Sequence, residues 1–180
     1  MGGAVPSLLI AAASVAALGG TFTASSSPPA AASTTQTRSA NHQAVLPKLP
    51  AGSGDGRRIV FDQSEQRVWL VAANGDVKRS YLVTGSNRGN LRPGFYAVKS
   101  RTRYARTYRG GGTLEYFVKF AQGRTAAIGF HAVTEKQGRL VYARSDLGIP
   151  HTPGCVEAWL SDAKALWAFA PIGTKVVVRA

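Results

Sequence analysis

The 180-residue sequence has one cysteine, one methionine and 9 acidic residues against 22 Lys and Arg. A single cysteine excludes an intramolecular disulfide and a zinc-thiolate cluster. The shortage of acid leaves a net charge of +13. Charge of either sign is missing from residues 1–37, and Arg38 is the first charged side chain. After residue 37 no apolar run approaches the ~20 residues of a membrane span. No internal repeat is visible. A wholly disordered chain is excluded in turn, because 44% of the residues are hydrophobic and aromatics are plentiful.

The uncharged head has its own logic. Residues 5–18 are apolar and Ala-rich, and they lie at the extreme N-terminus. That is the pattern of a secretory h-region, followed by small residues (Gly19, Gly20, Ala24) suited to cleavage. No Lys or Arg precedes it, so an uncleaved N-terminal membrane anchor is the alternative. We read residues 1–24 as signal peptide or anchor. Residues 25–56, rich in Ser, Ala, Pro and Gly, read as a disordered tether. Both readings place residues 57–180 outside the cytoplasm, secreted or wall-associated. These 124 residues are enough for one core.

The folded part has mostly a period of two. Arg58–Phe61, Arg67–Val71 and Val77–Thr84 read as strands, with Asn74-Gly75-Asp76 turning between the last two. Phe95–Lys99, Glu115–Phe120, Thr125–Val133, Arg139–Ala143 and Lys175–Arg179 are further strands, and Lys99–Arg109 is a basic stretch. Ala163, Leu166, Trp167 and Ala170 repeat with helical spacing behind Ser161, read as the N-cap, and Asp162. Many short strands and one late helix predict a mainly β fold: a sandwich or barrel with one short C-terminal helix packed on it.

Chemistry concentrates around Cys155. It follows His151-Thr152-Pro153-Gly154, and the backbone N–H groups of Gly154 and Cys155 are candidates for an oxyanion hole. A thiol becomes a strong nucleophile only beside a base or a positive charge. His131, in Ile128-Gly129-Phe130-His131, is the candidate base. Strand alternation puts it on the same face as Gly129, whose missing side chain leaves room for a neighbouring chain or a substrate. His151 is a candidate auxiliary, and His42 falls in the tether. A lone cysteine is more often an inert small residue, but an unpaired thiol outside the cytoplasm is an oxidation liability.

The arrangement His131…Thr152-Pro153-Gly154-Cys155-Val156 resembles the signature of the L,D-transpeptidases (the YkuD-type catalytic domain). The resemblance covers about residues 57–179. It takes in the opening hairpin, Thr84-Gly85…Pro93-Gly94-Phe95-Tyr96, Leu147-Gly148, Ser161-Asp162-Ala163 and the closing Pro171-Ile172-Gly173-Thr174-Lys175. It implies the YkuD-like fold and a cysteine acyltransferase acting on peptidoglycan stem peptides, with Cys155 as nucleophile and His131 as general base and acid. No metal or cofactor is implied. Two positions depart from the family: Pro153 replaces the motif's central His, and Glu157 stands where Arg or Asn is usual. Proline offers no imidazole and no N–H. A carboxylate at ~4–6 Å would oppose thiolate formation. The expectation is a working or weakened nucleophile, with a wall-binding member lacking catalysis or an L,D-carboxypeptidase or endopeptidase as alternatives. The basic charge suits anionic cell-wall polymers better than nucleic acid, given the export signal and the absence of a recognition motif. A monomer is expected.

Overall fold

The computed structural model describes residues 46–86, 89–108 and 110–180. The expected signal segment and most of the expected tether, with His42, therefore lie outside the described residues.

Strand β1 (Arg58–Asp62) pairs antiparallel with β2 (Arg67–Val71), and β2 with β3 (Val77–Thr84). The first turn is fastened by the Asp62 carboxylate, whose Oδ1 accepts from the Ser64 and Glu65 N–H groups at 2.9 and 3.0 Å. The second contains Gly75 at φ +90°, a left-handed position that glycine occupies without steric cost. The closing strand β11 (Lys175–Arg179) adds parallel to β1, and β4 (Gly94–Ala97) adds to β11. On the other side β3 pairs with β10 (Val156–Ala158), which runs parallel to β7 (Ala127–Ala132). Strand β6 (Thr113–Gln122) pairs with β7, with β5 (Ser100–Arg106) and with β8 (Glu135–Lys136), which turns back into β9 (Arg139–Leu140). The sheet path runs from β4 to β9 and does not close.

One face of this sheet carries the main core: Ile59, Phe61, Val118, Phe120, Ile128, Phe130, Val156 and Val176 are all buried there. Helix α1 (Leu160–Phe169) lies on it through Ala163 and Leu166. Burying each large apolar side chain is worth roughly 1.5–3 kcal/mol. Behind β1 and β2, Val60, Trp69, Val71 and Val177 form a second cluster, and Leu49 packs on it. Trp69 Nε1–H donates to the Pro47 carbonyl at 2.9 Å, and Arg58 donates to Ser53 Oγ at 3.2 Å. Residues 46–56, expected as the end of the tether, thus carry no strand or helix but lie against the back of the sheet.

Three local expectations are corrected. The helix begins at Leu160 with Trp159 as N-cap, so Ser161 lies inside its first turn. The chain leaves β10 straight into the helix, and the Trp159 carbonyl accepts from both Asp162 and Ala163 N–H at 2.9 Å. Asp162 instead takes Arg79 of β3 as its partner. The basic stretch contains a strand, β5, whose inward face is built from arginine: Arg101 lies over Trp167 at 4.0 Å and Arg103 over Tyr116 at 3.6 Å. Guanidinium planes on aromatic faces do there what apolar side chains do elsewhere. The strand expected over Arg139–Ala143 ends at Leu140, because the chain turns into a 3-10 turn (Arg144–Asp146) held by Asp146 accepting from the Ala143 N–H at 2.8 Å.

Candidate active site

Strands β7 and β10 assemble the site. Their parallel register sets Val156 against Phe130, Glu157 against His131 and Ala158 against Ala132. Phe130 and Val156 point into the core under the helix, so His131 and Glu157 point to the opposite face. Cys155 immediately precedes β10 and is brought to the same place. Cys155, His131 and Glu157, with Arg106, Phe117 and Pro153, line one cavity of about 480 Å³.

Gly129 is needed for this arrangement. A Cβ on it would lie 2.6 Å from the Val118 carbonyl oxygen and 2.8 Å from the Phe117 ring. The space beside His131 therefore belongs to a neighbouring strand and not to substrate. Phe117 fills it, with its ring 5.8 Å from the imidazole centroid-to-centroid.

His131 is only 1% exposed. Its Nδ1 lies 2.7 Å from the Ala132 carbonyl oxygen. A carbonyl can only accept, so Nδ1 carries a proton and Nε2 is left for the thiol. Burial opposes a charge on the ring. Interaction with Cys155, both as hydrogen-bond partner and as charge, outweighs that cost, aided by the Glu157 charge and the Ala132 carbonyl. The result is a pKa raised from 6.5 to about 9. Cys155 Sγ lies 3.7 Å from the Ala127 carbonyl oxygen.

The loop carrying Cys155 is tied to the sheet. The His151 N–H donates to Thr84 Oγ1 at 3.0 Å, and the Thr152 N–H to the Gly85 carbonyl at 3.1 Å. The Thr152 hydroxyl donates to the Cys155 carbonyl and lies 3.4 Å from the Gly154 nitrogen. Gly154 packs so closely that a Cβ would come 3.2 Å from Asn90 and 3.3 Å from Ile128. Pro153 sits exposed on the cavity rim. His151, the expected auxiliary, stacks on Tyr142 with ring centroids 5.3 Å apart, outside the cavity lining. Glu157 is buried and accepts from Thr134 twice, from its N–H at 2.8 Å and its hydroxyl at 3.1 Å. Among the described residues no group of three or more His, Cys, Asp or Glu is placed to hold a metal ion.

The structure brings Cys155 and His131, the candidates read from the sequence, to one cavity and adds around them Phe117, Thr134 and the Ala132 carbonyl, which the sequence does not single out. Gly129 was the available signal for Phe117, since a bare position facing a histidine implies a bulky neighbour.

The family model of the YkuD L,D-transpeptidase catalytic domain matches residues 56–178. The chain belongs to this family. Solved L,D-transpeptidases share the fold at low identity. The enzyme from Stackebrandtia nassauensis is 21% identical with a TM-score of 0.54, over 70% of this chain and 56% of that one. One from Mycobacterium smegmatis is 13% identical with a TM-score of 0.57, over 71% and 60%. An LD transpeptidase in complex with imipenem is 16% identical with a TM-score of 0.55, over 69% and 59%. This L,D-transpeptidase-type chain thus spans little more than half of each of those chains. No curated protein matches it.

Proposed function

We propose that this domain is an extracytoplasmic cysteine acyltransferase that cross-links peptidoglycan stem peptides through an acyl-enzyme on Cys155. The observation that carries the reading is the β7–β10 register, which sets the cysteine loop beside a buried histidine held at about 9. A histidine so held is protonated at neutral pH, as the partner of a thiolate nucleophile must be.

In this mechanism the Cys155 thiol proton resides on His131 Nε2. The thiolate attacks a stem-peptide carbonyl carbon, forming the C–S bond while the carbonyl π electrons move to oxygen. The Cys155 N–H is the donor assigned to that oxyanion, joined by the Gly154 N–H once it leaves the Thr152 hydroxyl, to which it donates at 3.4 Å. Collapse breaks the C–N bond, and His131 passes its proton to the departing D-amino acid. An amine of a neighbouring stem then attacks the thioester. His131 takes the amine's proton and the thiolate leaves, regenerating the pair. No metal or cofactor enters the reaction. Membership of a family typified by cell-wall enzymes, together with the excess of basic residues, supports anionic wall polymers as the surroundings.

A carbapenem is the direct probe, since a similar structure holds imipenem. Intact mass should rise by one covalent adduct in the wild type and by none in C155A. A wild-type chain unchanged in mass at millimolar carbapenem sinks the acyltransferase reading in favour of a wall-binding protein without catalysis. Pro153 on the rim, where the family has His, favours that reading without catalysis, and a chain that does acylate has transfer and hydrolysis as its two outcomes. Muropeptide digests separate the two: dimers report transfer, trimmed monomers alone report water as acceptor.

A further inference from the structure

The carboxylate of Glu157 is the least expected group in the cavity. It sits on the middle residue of β10, directly across from His131 on β7 and on the same face. Only 7% of the residue is exposed. Each of its two oxygens is engaged by a Thr134 donor, Oε2 by the N–H at 2.8 Å and Oε1 by the hydroxyl at 3.1 Å. Two donors on two oxygens fit an ionised carboxylate, which is acceptor-only, better than a protonated one. They also fix its rotamer, leaving little freedom to swing toward a substrate.

A buried carboxylate needs a counter-charge, because an uncompensated ion in the interior is costly. Among the described residues no Lys or Arg forms an ion pair with Glu157. The imidazole of His131 stands opposite it in the β7–β10 register, not in direct ion-pair contact but close enough for the Glu157 charge to favour its protonated form.

The groups around that ring can be named element by element. Cys155 faces it from the loop before β10, and Glu157 faces it from β10 itself. Strand β6 presents only the uncharged Phe117 ring. Arg106 of β5 lines the same cavity. Tyr142 feels the Glu157 charge as well, and burial, Glu157 and Asp146 together keep its phenol protonated.

We propose that Glu157 is a positioning residue of this site, a fixed negative charge anchored on Thr134 that acts through His131 by favouring its protonated imidazole beside Cys155. The proposal rests on the reading that His131 and Cys155 carry the chemistry. It assigns the departure from the family's usual Arg or Asn a constructive role: Glu157 favours the imidazolium in addition to Cys155. The Glu157 charge stays in place once the thiolate has become the C–S bond of the tetrahedral intermediate, which is the stage at which His131 must still hold a proton for the leaving amine.

The test is a side-chain NMR titration of the full chain. In the wild type the His131 ring should titrate near 9. E157Q keeps an acceptor oxygen for Thr134 but loses the charge, so its His131 midpoint should fall by about one unit, tenfold in proton affinity, or more. E157D, which keeps the charge, should recover most of that fall. An E157Q midpoint equal to the wild type's, at an unchanged melting temperature, overturns the proposal. A measurement free of variants guards against an unfolded E157Q. The Glu157 carboxyl carbon of the wild type should report an ionised group at neutral pH and shift again as His131 titrates. A protonated Glu157, or one blind to that step, also overturns it. These readouts do not depend on acylation. A chain that takes no carbapenem yet titrates as described removes the acyltransferase reading and keeps the Glu157–His131 coupling. A chain that acylates normally with an unmoved E157Q midpoint does the reverse.

Discussion

A buried histidine is ordinarily neutral, because the interior disfavours the imidazolium. His131 is 1% exposed and goes the other way, raised from 6.5 to about 9 by its partners. This has a stability consequence whose sign is fixed. Between 6.5 and about 9 the folded chain holds a proton that the unfolded chain has released. Stability from this group is therefore complete below pH 6.5 and is lost as pH rises through about 9. H131N removes the titrating group. The melting temperature of the wild type, measured relative to H131N across this range, should decline with pH. A difference that rises with pH would mean that the fold does not favour the imidazolium, and a flat one that the His131 proton is the one Cys155 has given up.

At the scale of elements, the site depends on three adjacent strands keeping their spacing. Strand β6 bulges between Lys119 and Ala121, and Phe117 reaches over Gly129 to the His131 ring. G129A would place its methyl 2.6 Å from the Val118 carbonyl oxygen and 2.8 Å from Phe117, so either the β6–β7 ladder or the ring must move. Overpacking of this kind costs about 1–3 kcal/mol. We expect a lower melting temperature and a carbapenem acylation rate reduced by at least tenfold, because Phe117 is pushed toward His131. Unchanged acylation in a destabilised G129A would show that Phe117 does not fix the ring. The same strands show what could be read beforehand. Strands β1, β2, β3, β7 and β11 carry β-branched and aromatic runs bounded by turns, so period alone locates them. Strand β10 is three residues, Val-Glu-Ala, with no alternation to detect, and its parallel partner is 26 residues away in sequence. Strand β5 hides because arginines take the inward positions. For the same reason Cys155 and His131 could be paired from the sequence, whereas the side on which Glu157 acts could not. Distance decides whether a carboxylate opposes a thiolate or supports an imidazolium, and register sets the distance.

At the scale of the whole molecule, the excess of +13 is borne by residues 38–180. Part of it is organised. Arg57 lies over Phe169 at 4.2 Å, Arg101 over Trp167 at 4.0 Å and Arg103 over Tyr116 at 3.6 Å, so α1 and the β5–β6 hairpin carry guanidinium groups held in place by aromatic rings. Of the three, Arg103 alone has a carboxylate partner among the described residues, Glu115 at 2.9 Å. Cations held in fixed positions lose less side-chain entropy when they meet an anionic polymer than freely moving lysines would. Binding to purified cell walls should therefore be strong at low salt and should collapse toward ~0.5 M, where the Debye length is only a few Å. Reversing two of these charges, R57E with R101E, should weaken binding more than K48E with K175E, which changes net charge equally at exposed lysines elsewhere. Equal losses from the two pairs would mean that only net charge matters and that the aromatic-held face is not a docking surface. Binding unaffected by salt would remove the electrostatic account altogether. On the proposed reading, the charge that would hold the domain at the wall thus lies on the helix side of the sheet. The cavity holding Cys155 lies on the opposite face of β7 and β10, an arrangement that would leave it open to the proposed stem-peptide substrate while the helix side is engaged.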